Sequence, residues 1–138
     1  MENSNVMSFS DKKLKVMIID DDEFQIDFVV DQLGELGIRQ VVSASSGKSA
    51  LATFDKAQPK PDLLICDIQM PDIDGFAIMK AMDERSYTGG VILMSGQGAR
   101  VLYSASLVAQ LARQNFLGTV EKPVQKESLA KAIEKLYS

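Results

Sequence analysis

The sequence has 138 residues, which fits a single domain, since domains most often contain about 100–150 residues. Its net charge of −4 argues against direct binding to nucleic acid, and no apolar run approaches the ~20 residues that span a membrane. The chain has no histidine and one cysteine, which excludes Ser–His–Asp and Cys–His catalysis and any internal disulfide framework. The polar, acidic start is not a signal peptide. We therefore expect a cytoplasmic protein that relies on carboxylate, hydroxyl, lysine or metal chemistry.

Along the chain, short apolar runs alternate with segments of helical periodicity. Residues 1–12 are polar and lack periodicity, which predicts a flexible tail ahead of one domain at 13–138. The apolar runs predict strands at 14–19, 39–44, 62–67, 91–95 and 116–120. The periodic segments predict helices near 22–36, 46–54, 75–86, 99–114 and 126–137. Such alternation predicts parallel strands with right-handed crossovers, and so an α/β protein with one doubly wound five-stranded sheet and helices on both faces.

Helical spacing also predicts which side chains of the helices face the core. The first helix is expected to bury Phe24, Phe28, Val29, Leu33 and Leu36. The third is expected to turn Phe76, Met79 and Met82 inward. The fourth is expected to bury Leu102, Ala105, Val108, Leu111 and Ala112.

Four of the predicted strands end in polar residues. Asp20 and Asp21 follow the first, Asp67 ends the third, Ser95 ends the fourth, and Lys122 follows the fifth. In a parallel sheet these carboxyl ends lie on one edge, where ligands bind in open α/β folds. The sequence therefore predicts a site at this edge.

The residue types at this edge suggest its chemistry. Two carboxylates 4 Å apart repel by about 4 kcal/mol at an effective dielectric near 20, so the cluster must raise a pKa or hold a cation. Ligands that are all oxygen favour Mg²⁺, with Mn²⁺ or Ca²⁺ as substitutes. With Lys122 and Ser95 placed to receive an anion, Asp67 is suited to forming an aspartyl-phosphate. The simpler interpretation of these residues is that the acids form a solvated helix cap and that the lysine is an ordinary surface residue. Their common position at the ends of predicted strands favours a functional site instead.

In these motifs the chain resembles the receiver domains of response regulators in two-component signalling, over residues 14–137. The resemblance implies the flavodoxin-like strand order 2-1-3-4-5 and a phosphorelay function, with Asp67 as phosphoacceptor. It implies that Mg²⁺ binds Asp21, Asp67 and the backbone carbonyl of Gln69, and binds Asp20 through water. It also implies phosphoryl contacts from Ser95, Gly96 and Lys122, and a cis bond before Pro123.

Three further positions bear on switching. Many receivers carry Tyr or Phe where this chain has Thr119, so the usual movement of a ring is not available here. Gln69 and Gln97 stand two residues beyond Asp67 and Ser95, where side chains in the family tune the lifetime of the phosphate. The alternative is that both glutamines are simply solvent-facing.

The resemblance implies a histidine kinase or histidine phosphotransfer protein as phosphodonor, and family members commonly form homodimers through the last helix, last strand and long helix. A finer resemblance is to receivers fused to EAL-type cyclic di-GMP phosphodiesterase domains, carried by residues 95–96, 101–105, 107–109 and 117–124. It implies an output domain, fused or separate. Two other functional classes make different demands on these residues. A Mg²⁺-dependent phosphohydrolase would need an acid at Gln69, and a pseudo-receiver would lack an acid, the hydroxyl or the lysine. We expect a signalling receiver rather than an enzyme.

Overall fold

The computed structural model describes residues 8–96 and 105–137. Within these ranges five strands alternate with five helices, as the sequence predicts. The strands are β1 (Lys15–Ile19), β2 (Gln40–Ala44), β3 (Leu63–Asp67), β4 (Gly90–Ser95) and β5 (Asn115–Glu121). The helices are α1 (Glu23–Glu35), α2 (Gly47–Lys56), α3 (Gly75–Glu84), α4 (Ala105–Ala112) and α5 (Lys126–Glu134), with a 3₁₀ turn at Lys135–Tyr137. None of the helices in the described ranges is long and apolar enough to cross a membrane.

The strands form one parallel sheet in the order β2-β1-β3-β4-β5, which confirms the predicted topology. β3 and β4 are buried along their whole length, because helices cover both faces of the sheet and only apolar runs tolerate that position. Separate apolar clusters pack on the two faces, one under α1 and α5 and the other under α2, α3 and α4.

Strand register aligns the carboxyl ends of the strands. Ile19 pairs with Cys66 next to Asp67, and Ser95 pairs with Glu121 next to Lys122. The polar residues that follow these strands therefore share one edge of the sheet.

Phe9 lies in the segment that the sequence predicts to be a flexible tail, and it packs against the domain. Phe9 is 3% exposed in the cluster under α1 and α5, and its N–H donates to the Leu36 carbonyl at 2.7 Å. Its ring also stacks near that of Tyr137, with centroids 6.4 Å apart. A lone aromatic in a polar segment carries no periodicity, so this anchor could not be identified from spacing.

The predicted inward face of α1 is wrong at its start. Phe24 is 74% exposed, and α1 instead buries Ile26, Val29 and Leu33. Asp22 caps the helix by accepting the Phe24 N–H at 3.0 Å. Phe24 thus lies in the first turn, and the inward stripe passes through Ile26.

The predicted inward face of α4 is also wrong in part. Leu111 is buried as predicted, but Val108 is 52% exposed and the other inward residues are Leu107 and Gln110. Ala105 and Ala112 are exposed as well. The spacing of apolar residues could not predict the burial of Gln110, because this residue is polar although it lies on the same inward face as Leu107 and Leu111. Leu102 and the predicted helix start near 99 lie outside the described residues.

The third helix buries Met79 and Met82 as predicted, together with Ile78. Phe76, the other predicted inward residue, is only half-buried.

Candidate functional site

Three aspartates form a cluster at the carboxyl edge of the sheet. Asp20, Asp21 and Asp67 each offer one carboxylate oxygen, and these atoms lie within 4.8 Å of one another. Asp20 is fully buried, Asp67 is 7% exposed, and Asp21 faces solvent. Oxygen ligands grouped in this way, with one side open, can hold a hard divalent cation.

Lys122 bridges the two buried carboxylates. Its Nζ lies 2.7 Å from Oδ2 of Asp20 and 3.1 Å from Oδ2 of Asp67. The Asp67 contact has hydrogen-bond geometry, whereas the Asp20 contact is an ion pair without the direction of a hydrogen bond. The Lys122 N–H also donates to the Ser95 carbonyl at 2.7 Å, which ties the residue after β5 to the end of β4. The Lys122–Pro123 bond that follows is cis.

Burial and charge act against each other in this cluster. Burial raises the pKa of Asp20, and the Asp67 charge adds to the effect, against the opposing influence of Lys122 and the Asp22 N–H. Burial lowers the pKa of Lys122, but its contacts with Asp20 and Asp67 outweigh this, so its pKa is raised. Lys122 therefore remains charged. When ionised, the three carboxylates and one ammonium carry a charge of −2, which a single divalent cation would balance.

Backbone donors orient the buried carboxylates. The Asp22 N–H donates to Oδ1 of Asp20 at 2.9 Å, and the Gln69 N–H donates to Oδ1 of Asp67 at 3.2 Å. Each carboxylate thus has one oxygen held by the backbone and the other turned toward Lys122.

The remaining predicted site residues differ in how far they are exposed to solvent. Ser95 is 9% exposed at the end of β4, and Gly96 beside it is exposed. The Gln69 side chain is exposed, as is Thr119 on β5, three residues before Lys122. Gln97 lies outside the described residues.

Sequence reasoning missed the long-range contact of Asp72. Its carboxylate accepts the N–H groups of Gly47 at 3.1 Å and Lys48 at 3.2 Å, which joins the loop after β3 to the first turn of α2. These hydrogen bonds lower the pKa of Asp72. No local signal could have revealed a contact between residues 25 positions apart.

The family model of the response regulator receiver domain matches residues 16–134 of the chain. The chain belongs to this family. Receiver domains are signalling proteins that act in phosphorelay signal transduction.

Among relatives of this receiver domain, a probable chemotaxis protein CheY from Rhizobium etli is 32% identical, over 91% of this chain and 94% of that protein. The cyclic di-GMP phosphodiesterase RocR of Pseudomonas aeruginosa is 29% identical over 84% of the chain, which spans 29% of that protein. Among solved structures, a response regulator receiver domain from Clostridium thermocellum superposes with a TM-score of 0.72 at 24% identity. The superposition covers 89% of this chain and 93% of the Clostridium thermocellum chain, which supports the receiver-domain fold described above.

Proposed function

We propose that this receiver domain is a phosphorylation switch in which Asp67 accepts a phosphoryl group from a histidine kinase or a histidine phosphotransfer protein. The observation that carries the proposal is the setting of Asp67, which lies beside Asp20 and Asp21 with Lys122 Nζ 3.1 Å from its Oδ2. A carboxylate with a fixed ammonium and room for a divalent cation is arranged to receive an anion.

We propose that Asp21, Asp67 and the backbone carbonyl of Gln69 hold Mg²⁺, with Asp20 acting through water. Mn²⁺ or Ca²⁺ would substitute. When bound, the ion neutralises negative charge on the phosphoryl oxygens and on the clustered carboxylates. The described residues fit such an ion because they supply oxygen ligands and a net charge of −2.

Phosphoryl transfer then depends on groups of the chain itself. A carboxylate oxygen of Asp67 attacks phosphorus in line, the bond from phosphorus to the donor imidazole nitrogen breaks, and its electron pair stays on that nitrogen. Lys122 contacts the incoming phosphoryl oxygens, the Ser95 hydroxyl donates to one of them, and Gly96 leaves space beside it. The Gln69 N–H holds the other Asp67 oxygen in place.

The test is intact mass after incubation with Mg²⁺ and a small phosphodonor, for wild type and Asp67→Asn. We expect one phosphoryl adduct that needs Mg²⁺ and is absent from Asp67→Asn. The matched control is Asp72→Asn, an exposed loop aspartate that should still be modified. If neither the small donor nor a phosphorylated kinase modifies the wild type, and beryllofluoride does not bind, the chain is an inert module and the proposal is wrong.

We propose that Gln69 and Gln97 set the rate of dephosphorylation, because side-chain amides two residues beyond Asp67 and Ser95 can orient the attacking water. Replacing each with alanine should change the decay rate of the adduct at constant Mg²⁺, measured by mass spectrometry. Unchanged decay in both variants would rule out this role. Thr119, which has no ring to move, implies that the phosphorylated state is transmitted without an aromatic switch.

We also propose a cytoplasmic signalling protein rather than an enzyme, with an output domain or target that responds to its phosphorylation. The similarity to RocR favours an EAL-type phosphodiesterase among fused outputs. Sequencing the gene beyond the codon for Ser138 tests the fusion. A stop codon at that point would leave only a separate output.

A further inference from the structure

The loop between β3 and α3 carries part of the proposed site and is fixed at its start. Asp67 ends β3, and the Gln69 N–H donates to one of its oxygens at 3.2 Å. The Ile68 N–H donates to the Met94 carbonyl at 3.1 Å, and the Ile68 carbonyl accepts the Gly75 N–H at 3.2 Å. The start of the loop is therefore held by β4 and by the first residue of α3.

The next stretch of the loop, from Gln69 to Pro71, has less backbone support in the described structure. The carbonyl groups of these three residues accept no hydrogen bond from a described residue. Met70 packs its side chain into the cluster under α2, α3 and α4, where it is 9% exposed. The Gln69 carbonyl is thus available to an ion, and its direction depends on how the loop is held beyond Pro71.

Asp72 fixes the far side of this stretch to α2. Each of its carboxylate oxygens accepts an N–H from the first turn of the helix, Oδ1 from Gly47 at 3.1 Å and Oδ2 from Lys48 at 3.2 Å. The first N–H groups of a helix have no partner within the helix and carry a partial positive charge, so a carboxylate binds them well. Two hydrogen bonds to one carboxylate fix its orientation as well as its distance.

The start of α2 also fits the loop in shape. A Cβ at Gly47 would overlap Cγ2 of Ile73 and would lie 3.5 Å from Oδ1 of Asp72. Ser46 caps the helix by accepting the Ser49 N–H at 3.0 Å, which leaves the two preceding N–H groups for the loop. Charge and packing therefore hold the loop at the same place on α2.

We propose that Asp72 is a positioning residue for the Mg²⁺ site, because its contact with α2 holds the loop so that the Gln69 carbonyl can bind the ion. Asp72 is not part of the acidic cluster, and it acts through the backbone of the loop rather than on the ion. The inference rests on the proposed function and extends the site to the first turn of α2.

The test is a titration of the full chain with Mg²⁺, without any phosphodonor, followed by amide chemical shifts in two-dimensional NMR. The same spectra report the affinity for Mg²⁺ and the integrity of the fold. Asp72→Ala removes both acceptors and should raise the dissociation constant of Mg²⁺ about tenfold, since groups that orient metal ligands contribute about 10–100-fold to affinity. Asp72→Asn keeps one acceptor and should show a smaller loss.

Two further variants separate the position of the loop from its charge. Asp74→Asn removes the same charge from the same loop, and its side-chain oxygen can still accept the Ala77 N–H that caps α3. We expect it to change the dissociation constant of Mg²⁺ about twofold or less, because salt screens an exposed charge. Gly47→Ala keeps every charge but displaces Ile73, so it should also weaken Mg²⁺ binding.

All variants should still form the phosphoryl adduct at saturating Mg²⁺, because Asp67, Ser95 and Lys122 are unchanged. The inference is overturned if Asp72→Ala binds Mg²⁺ as tightly as the wild type, if Asp74→Asn loses as much affinity as Asp72→Ala, or if Gly47→Ala has no effect. A wild type that binds Mg²⁺ but forms no adduct refutes only the phosphorylation switch. A wild type that binds no Mg²⁺ overturns both the proposed Mg²⁺ site and the role of Asp72.

Discussion

At the scale of residues, Lys122 is the counter-charge for two carboxylates that have little contact with water. Asp20 is fully buried and Asp67 nearly so, and Lys122 is the cation that the described structure places within 4 Å of both. Removal of one partner from a buried ion pair leaves an uncompensated charge, which costs far more than loss of a surface pair. Lys122 therefore stabilises the fold even when no ligand is bound.

We predict that Lys122→Met lowers the free energy of unfolding by about 2–4 kcal/mol when divalent cations are chelated. Added Mg²⁺ should recover more stability in this variant than in the wild type, because the ion replaces the lost positive charge. Urea denaturation with chelator and with Mg²⁺ measures both effects. The control is Lys126→Met, which removes a surface pair with Glu35 and should cost far less than Lys122→Met, because water and salt screen an exposed pair. Equal losses in the two variants would contradict this account.

At the scale of elements, two helical glycines have opposite surroundings. Gly34 in α1 has open space where a Cβ would stand. A Cβ at Gly47, the first residue of α2, would overlap Cγ2 of Ile73 in the loop before α3. Replacement of each glycine by alanine should therefore change the free energy of unfolding in opposite directions.

We predict that Gly34→Ala raises the free energy of unfolding by about 0.5–1 kcal/mol, because it removes the entropic cost of glycine in a helix. Gly47→Ala should lower it by about 1–3 kcal/mol, because Ile73 must move aside. Chemical denaturation of each single variant checks the signs of both changes. A gain in stability for Gly47→Ala would mean that the Ile73 side chain yields without cost.

At the scale of the whole molecule, exposed carboxylates join elements that are distant in sequence. Asp72 ties the loop after β3 to α2, and Asp55 in α2 binds Arg85 after α3 at 2.7 and 3.2 Å. The Arg85 hydrogen bond lowers the pKa of Asp55, and the backbone hydrogen bonds from Gly47 and Lys48 lower that of Asp72. A lowered folded-state pKa means that the carboxylate stabilises the fold above its unfolded pKa near 4, and that this contribution is lost as pH falls through the folded value.

We predict that the free energy of unfolding falls as pH is lowered from about 5 to about 3, and that Asp72→Asn makes this fall less steep. Asparagine can still accept one of the two backbone hydrogen bonds, but its acceptor does not titrate in this range. Urea denaturation at several pH values measures the slope. Asp55→Asn removes the other carboxylate whose pKa is lowered and should also make the fall less steep. An unchanged slope in Asp72→Asn would refute the argument.

The sequence by itself determined the order of strands and helices and the residues at strand ends. Both depend on local patterns, namely apolar runs, helical spacing and the polar residue where a buried run stops. Because parallel strands share their carboxyl edge, Asp20, Asp67, Ser95 and Lys122 could be assigned to one site before any distance was known.

Only the tertiary structure decided which atoms meet. The two contacts of Lys122, the burial of Phe9, the contact of Asp72 with α2 and the burial of Gln110 in α4 all depend on packing between segments far apart in the chain. Periodicity predicts that a helix has an inward face, but the neighbours of that helix decide which side chains fill it. That is why Phe24 and Val108 are exposed against expectation while Gln110 is buried.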